Sequence, residues 1–481
     1  MVKKMKSNQS GKSRAICLLI GPVLFFLCMF MLPDSIFTTM EARGAIGTIA
    51  WMAFWWITGP IDFAITGFLP IVTNALFQMS DMSLVIANYA DEIILLLLGA
   101  SLITASWEET GLDKRIAAMF LSLIGNSMRS QVVFWFLLTT ILSAVLPNAV
   151  VCATITPVAV SMLKYVGIND IGESKNGSLV LLTIAYGAGI GGLASPLGGA
   201  MNLVAVEYLQ QVTGREYMYA SWVIRFLPII IILVLSNVVY LMLCCGKKDS
   251  LGGSKEYFIS QYKQMPKMTK EEAWALGLFL VATVMSFSRQ LYQDILPGLK
   301  PAYVFIICAV LCFVVQKQDG TRLLTWKFAQ VRVVWDLLYI FAGGLAAGTL
   351  INESGAAEGI GRAMSNAGLD GGFTTILVII SVTLLMSDIT SNTATAAVAL
   401  PIIISIVQGI GLNPVPYIYV AAIGVNISYM LPTSIRAIPV GYGLRPKYML
   451  KCGVPLTVIV ILLMSAVGYL MVNYWPAFST I

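Results

Sequence analysis

Histidine is absent from this chain of 481 residues, and only 11% of its residues are charged. The first absence removes a histidine proton relay, a histidine-ligated metal and a Ser-His-Asp triad. The second removes the soluble globule, in which about a quarter of the residues are charged. The eight cysteines are scattered and form no C-x-x-C pair, so neither a metal site nor a disulfide framework is expected. Cys244 and Cys245, at the end of an apolar run, read as small core residues or as an acylation site. No phosphate-binding loop and no pair of carboxylates inside an apolar run is present, so the chain is not expected to be an enzyme and no organic cofactor is expected.

What is abundant is apolar sequence, 58% of the chain. A helical span takes roughly 20 such residues. Runs near 15–33, 45–58, 61–77, 84–106, 178–211, 220–245, 272–288, 301–316, 333–351, 415–441 and 453–474 give about eleven spans. Two further runs, 131–165 and 372–411, are interrupted midway by polar residues and read as re-entrant hairpins that enter and leave on one side. The net charge of +6 is carried by short clusters: Lys3, Lys4, Lys6, Lys12 and Arg14, then Lys114/Arg115, the 247–270 loop, Lys317–Arg332 and Arg445–Lys451. With both hairpins re-entrant, every cluster falls on one face. The positive-inside bias then gives a multi-pass cell-membrane protein with its N-terminus cytoplasmic and its C-terminus outside, and no nucleic-acid partner. The first apolar run, Ala15 to Leu32, lacks a small-x-small cleavage site and reads as an uncleaved span.

Asn148 and Asn392 stand 244 residues apart, each in the middle of an interrupted run. The same offset joins Glu92 to Asp336, Gly99 to Gly343, Glu109 to Glu353, Gly111 to Gly355, Ser143 to Ser387 and Pro157 to Pro401. An ungapped match of this length is an internal duplication. The expected organisation is a tail and first span (1–44), a first repeat (45–245), a polar cytoplasmic linker (246–271) and a second repeat (272–481). Equivalent spans cross the membrane in opposite directions, so the repeats are inverted. The fold class is an all-α polytopic membrane protein with about eleven transmembrane helices and two re-entrant hairpins.

Non-helical backbone at membrane depth survives only where protein or a water-filled cavity satisfies it. Each hairpin tip therefore marks a candidate site. The half-helix after each tip points its N-terminal N–H groups and positive dipole end there, which favours an anion, while freed carbonyls can take a small cation such as Na⁺. The second tip, Thr390-Ser391-Asn392-Thr393-Ala394-Thr395-Ala396, concentrates hydroxyls and an amide; its alternative is an ordinary Ser/Thr helix cap. The first tip is Pro147-Asn148-Ala149. These features point to a secondary carrier of small anions, with a passive anion channel as the competing class.

Ser391-Asn392-Thr393 with Pro401 downstream resembles the signature of the divalent anion/sodium symporter family, whose members carry dicarboxylates, citrate or sulfate. Trp55-Trp56-Ile57-Thr58, the run Glu109 to Ala117, Phe341-Ala342-Gly343-Gly344-Leu345 and Gly441-Tyr442-Gly443 are similar to other stretches of that family. The resemblance covers nearly the whole chain after Gly44. It implies a homodimer with an elevator mechanism, a di- or tricarboxylate or a sulfate-like anion as substrate, and Na⁺ as the candidate coupling ion. It also implies a broken helix beside each tip. The first is Ser195-Pro196-Leu197-Gly198-Gly199-Ala200-Met201-Asn202, and the second runs from Leu431 through Thr433 and Ser434 to Ile438. The candidate substrate contacts are Asn148, Ser195, Pro196, Asn202, Ser391, Asn392, Thr393, Thr433, Ser434 and Arg436. The candidate cation contacts are Asn148, Gly199, Asn392 and Asp388.

The chain departs from the family at these loops. Pro147 and Ala149 replace Ser and Thr at the first tip, Ala200 and Met201 replace prolines, and Ser434, Ile435 and Arg436 replace a Pro-Pro-Asn run. A guanidinium at membrane depth costs about 2.5–3.5 kcal/mol on insertion scales and calls for a partner. Arg436 is expected either to supply the positive charge that relatives obtain from Na⁺ or to grip a substrate carboxylate, and its alternative is a structural ion pair or snorkelling to the interface. Asp388 reads as a brace for the second tip or a proton site. Glu207 is a possible partner for Arg436, with solvation at a helix end as its alternative. Glu92 and Asp336 read as solvated helix ends, and Trp51, Trp55 and Trp56 as interfacial anchors.

Overall fold

The computed structural model describes residues 11–246, 249–364 and 370–481. Lys3, Lys4 and Lys6 of the N-terminal basic cluster, and Lys247 and Lys248 of the linker, lie outside the described residues. Within the described residues the regular structure is helical apart from two isolated bridges. This follows from composition, because only a helix or a closed barrel satisfies every backbone group within lipid.

Six described helices are long and apolar enough to cross a membrane, among them Tyr219–Cys244 and Pro446–Tyr474. Shorter apolar helices include Met128–Ser143, Phe373–Ile389 and Val415–Asn426. Both interrupted runs fold as helix pairs. The first hairpin is Met128–Ser143 followed by Asn148–Tyr165, and the second is Phe373–Ile389 followed by Asn392–Gly409. The run 178–211 is discontinuous: helix Lys175–Gly192 ends, a 3₁₀ turn Pro196–Gly198 follows, and helix Ala200–Thr213 resumes. The run 415–441 breaks after Asn426 and resumes at the turn Ser434–Arg436 and the short helix Ala437–Gly441.

By contacts the chain forms two compact units. One gathers the described parts of Met1–Asp91, Trp335–Asp370 and Ala397–Leu412. In it, Trp56 is 1% exposed and donates from its indole to Phe63 O at 3.0 Å, while Trp55 donates to Cys17 O at 3.2 Å. The anchor reading therefore fails for Trp56, whose ring is a packing element. The other unit comprises Glu92–Val334, Gly371–Ala396 and Asn413–Ile481, and it contains both tips and both broken helices.

The 244-residue offset recurs in local geometry. Thr139 donates to Trp135 O at 2.8 Å and Thr383 to Ile379 O at 2.7 Å. Ser161 and Ser405 each return a hydroxyl to the carbonyl of the helix-interior proline four residues earlier, Pro157 and Pro401. Gly111 and Gly355 share a left-handed conformation, with φ of 81° and 77°. Each hairpin's first arm lies against its broken helix so closely that no side chain fits between them. A methyl on Gly187 would overlap Thr139 Oγ1 and lie 2.7 Å from Phe136 O; one on Gly424 would overlap Thr383 Oγ1 and lie 3.1 Å from Ile380 O.

The linker is not the plain polar loop that its composition implies. It contains helix Ser254–Gln264, with Phe258 only 1% exposed and packed edge-on to Trp135. Gln131 donates to Ser254 Oγ at 2.9 Å, and Leu251 N to Asn126 O at 2.7 Å. Further on, Arg115 pairs with Glu272 at 2.8 Å and donates to Pro266 O. A few apolar residues in a polar stretch thus pin the linker to the base of the first hairpin.

The two glycine contacts generate a stability prediction. Gly187→Ala and Gly424→Ala should each destabilise the protein by about 1–3 kcal/mol, because backbone must move to admit the methyl. Thermal melting in detergent should show both variants lowered, and an unshifted midpoint for both would contradict the packing described.

Candidate functional site

Each hairpin is latched to its broken helix by the last serine of its first arm. Ser143 Oγ donates to Ala188 O at 2.8 Å, and Ser387 Oγ to Val425 O at 2.7 Å. These bonds hold the tips beside the breaks. At the first tip, Pro147 precedes a helix that begins at Asn148 without a side-chain cap, so its first-turn N–H groups and positive dipole end face the tip. Asn148 is 9% exposed, and a methyl built on Gly192 would lie 3.2 Å from its Nδ2. A cavity of about 790 Å³ runs along this helix, with Val150, Ala153 and Thr154 among its lining residues.

The first break is held by side chains that take up backbone groups freed by the missing helical turns. Ser195 Oγ donates to Ala144 O at 2.5 Å and accepts from Leu197 N at 3.2 Å. Pro196 opens the 3₁₀ turn, and Gly199 is buried directly before the resumed helix. Asn202, fully buried, donates through Nδ2 to Gly192 O at 2.6 Å and Ser195 O at 2.8 Å.

At the second tip the three polar side chains divide their work. Ser391 Oγ accepts from Ala394 N at 3.1 Å, which is the ordinary helix cap weighed as the alternative. Asn392 Oδ1 lies 2.9 Å from Ser387 Oγ, sharing with Val425 O the one hydrogen of that hydroxyl, and accepts from Ser428 at 3.4 Å, while its Nδ2 donates to Asn426 O at 3.4 Å. Thr393 is 7% exposed, and Thr390 and Thr395 share a hydroxyl hydrogen bond of 2.8 Å.

The second break is organised around one buried ion pair. Asp388, with no exposed surface, accepts from the backbone N–H groups of Tyr429 and Met430 at 2.9 Å each and of Leu431 at 3.4 Å. Thr433 Oγ1 donates to Asp388 O at 2.8 Å. Arg436 is 2% exposed and lies 3.8 Å from Asp388 Oδ1. Its Nε donates to Leu431 O, its Nη1 to Ser428 O and Oγ, and its Nη2 to Ser387 O and Thr433 Oγ1. All five guanidinium N–H groups are thereby engaged by the protein. The bidentate grip on a substrate carboxylate expected from the sequence has no free donors in this arrangement, and snorkelling is corrected to full burial. Glu207 is not the carboxylate in the ion pair; it accepts from Gln210 at 3.0 Å and Gln211 at 3.1 Å. Ser434 is exposed and adopts φ of 50°, a left-handed conformation costly for serine.

The two breaks meet at an amide pair: Asn426 Nδ2 donates to Asn202 Oδ1 at 2.7 Å, with both residues buried. Hydrogen bonds thus run from Gly192 through Asn202 and Asn426 to Asn392, with Asn148 close beside Gly192. Asn426 carries no repeat signal in the sequence: the helices here match at an offset of 237, Gly187 with Gly424 and Ala188 with Val425, so its counterpart is Gly189, which has no side chain. A lone amide closing the apolar helix Val415–Asn426 was the available clue. Ser428, which receives Arg436, was missed for the same reason.

Chemically, the cluster offers two helix N-termini, buried amides and hydroxyls, and a fixed positive charge neutralised by one carboxylate. Among the described residues no group of three or more metal-ligating side chains occurs.

Comparison with known proteins agrees with this architecture. The family model described as "Citrate transporter" matches residues 53–424. The chain is 27% identical to the sodium-dependent dicarboxylate transporter SdcS of Staphylococcus saprophyticus over 98% of its own length and 93% of that protein's. It is 28% identical to SdcS of Staphylococcus aureus over 92% and 88%. Among solved structures, the YdaH transporter of Alcanivorax borkumensis matches with a TM-score of 0.51 at 12% identity, covering 82% of this chain and 88% of that one, a likeness of fold alone. The chain is an all-α polytopic membrane protein that belongs to the citrate transporter family, as a divergent member of the divalent anion/sodium symporters that its motifs resemble.

Proposed function

We propose that the protein is a secondary carrier of small di- and tricarboxylates, binding its anion among the two hairpin tips and the two broken helices. The observation that carries this reading is the Asn202–Asn426 bond of 2.7 Å, which joins the interruptions of both repeats into one polar cluster. The helix N-terminus at the first tip, which has no side-chain cap, is suited to carboxylate oxygens, and buried amides fix orientation without adding charge. The relatives named as sodium-dependent dicarboxylate transporters support both the substrate class and Na⁺ as coupling ion. The same reading includes inverted repeats at 45–245 and 272–481, a homodimer working as an elevator, a cytoplasmic N-terminus and an external C-terminus. A sulfate-like anion is the alternative cargo.

A second reading of the coupling is favoured by Arg436. Its guanidinium sits among the carbonyls of Ser387, Ser428 and Leu431, the kind of cage that unwound backbone offers to Na⁺. A permanent cation there replaces a travelling one at the second break, and it favours anion exchange or a smaller sodium requirement.

Reconstitution decides between these. Proteoliposomes should take up labelled succinate saturably, and the two couplings differ in whether an inward Na⁺ gradient or internal dicarboxylate drives uptake. Unsaturable flux would select a channel, and uptake of sulfate but not of succinate or citrate would contradict the carboxylate assignment.

Arg436 supplies a separate prediction. Arg436→Gln leaves Asp388 as a buried, unpaired carboxylate, a change worth about 3–5 kcal/mol. Arg436→Lys keeps the charge but cannot reach five acceptors from one ammonium. Initial uptake rates should fall at least tenfold in both, with Gln the more damaging; undiminished rates in both variants would remove Arg436 from the account.

A further inference from the structure

Asn426 carries a buried oxygen that the protein leaves unused. The residue is 2% exposed, yet its Oδ1 receives no hydrogen bond from any donor among the described residues. The amide cannot simply be turned over. Asn202 Nδ2 is fixed by two carbonyls, Gly192 O and Ser195 O, which makes Asn202 Oδ1 the acceptor facing Asn426. Asn426 must therefore present Nδ2 to Asn202 Oδ1 at 2.7 Å and to Ala422 O at 2.8 Å, leaving Oδ1 as the free atom.

A buried acceptor without a donor costs about 1–3 kcal/mol. A second such oxygen in the cluster, Asp388 Oδ2, belongs to a carboxylate already neutralised by Arg436 and held by three backbone N–H groups. Asn426 Oδ1 has no comparable compensation. It stands on the residue that joins the two breaks and whose main-chain oxygen receives Asn392 from the second tip. Ionised carboxylates are acceptors only, so no carboxylate oxygen can satisfy it. A hydroxyl on the carbon next to a carboxylate can, because it donates one hydrogen bond from an otherwise similar anion.

We infer that Asn426 Oδ1 is a specificity element that accepts a hydrogen bond from a substrate hydroxyl, so that 2-hydroxy di- and tricarboxylates are preferred over their deoxy counterparts. The inference rests on the carrier reading above and adds to it the group that distinguishes hydroxy acids. A site with a built-in acceptor discriminates against a substrate lacking the donor, because the acceptor is then buried unpaired.

The test uses the full chain in proteoliposomes and labelled succinate uptake, with unlabelled succinate, 2-hydroxysuccinate and 2-methylsuccinate as competitors. The methyl compound matches the hydroxy acid in size but lacks the donor. In the wild-type protein the hydroxy acid should compete at about tenfold lower concentration than the methyl acid. In Asn426→Ala and Asn426→Leu that ratio should fall to about one. A wild-type ratio of one or below overturns the inference whether or not either variant folds. So does an unchanged ratio in a variant that transports, or a variant whose sodium dependence shifts while its ratio stays. Failure of the wild type to move any of the three acids would instead be a failure of the carrier reading.

Discussion

An unpaired backbone N–H or C=O cannot be left in lipid, and the rest of this structure depends on that constraint. Four interruptions of helical backbone, two hairpin tips and two broken helices, stand in otherwise apolar surroundings. Each frees groups that regular helix would have paired. The chain answers with short side chains reaching main chain: Ser143 and Ser387 to the broken helices, Ser195 and Asn202 across the first break, Asp388 and Thr433 across the second. Because these repairs are made by side chains, the polar atoms collect in one place. A cluster built to rescue backbone is also an arrangement able to receive an anion.

The two breaks solve the same problem with different charge. At the first, only neutral groups act. At the second, an Asp388–Arg436 pair does most of the work, with the guanidinium spread over five acceptors and the carboxylate over three backbone N–H groups. Removing either member of such a pair leaves an uncompensated charge, while the intact pair contributes little net stability. Its value lies in fixing one geometry. The matched Thr139 and Thr383, Gly187 and Gly424, and Ser161 and Ser405 keep the same local geometry in both halves. The polar chemistry of the breaks has diverged on top of it.

Much of this was legible in the chain. The interruptions at Asn148 and Asn392 and the approximate hairpin limits follow from the apolar runs, their polar breaks and the 244-residue offset, and the resemblance to the family, with glycine and proline in the loops, located the breaks at Ser195–Asn202 and Leu431–Ile438. What the sequence could not convey was pairing at a distance. Asp388 and Glu207 were both acids near membrane depth, and nothing local told which would meet Arg436. Asn426 and Ser428 lacked repeat partners and so drew no notice, although one joins the breaks and the other receives the guanidinium. The linker helix was hidden because one buried ring, Phe258, decides its docking while its neighbours look soluble.

The central claim is that both hairpin tips contribute to a single anion site. It is tested most directly by substrate protection of cysteines placed one at each tip, Ala149→Cys and Ser391→Cys, in a transporting variant whose eight native cysteines have been replaced. Alkylation by a membrane-permeant maleimide is followed as a function of dicarboxylate concentration. The account predicts that the same substrate slows both reactions with a common half-saturation. Protection of one tip alone, or half-saturations that differ by an order of magnitude or more, would contradict it.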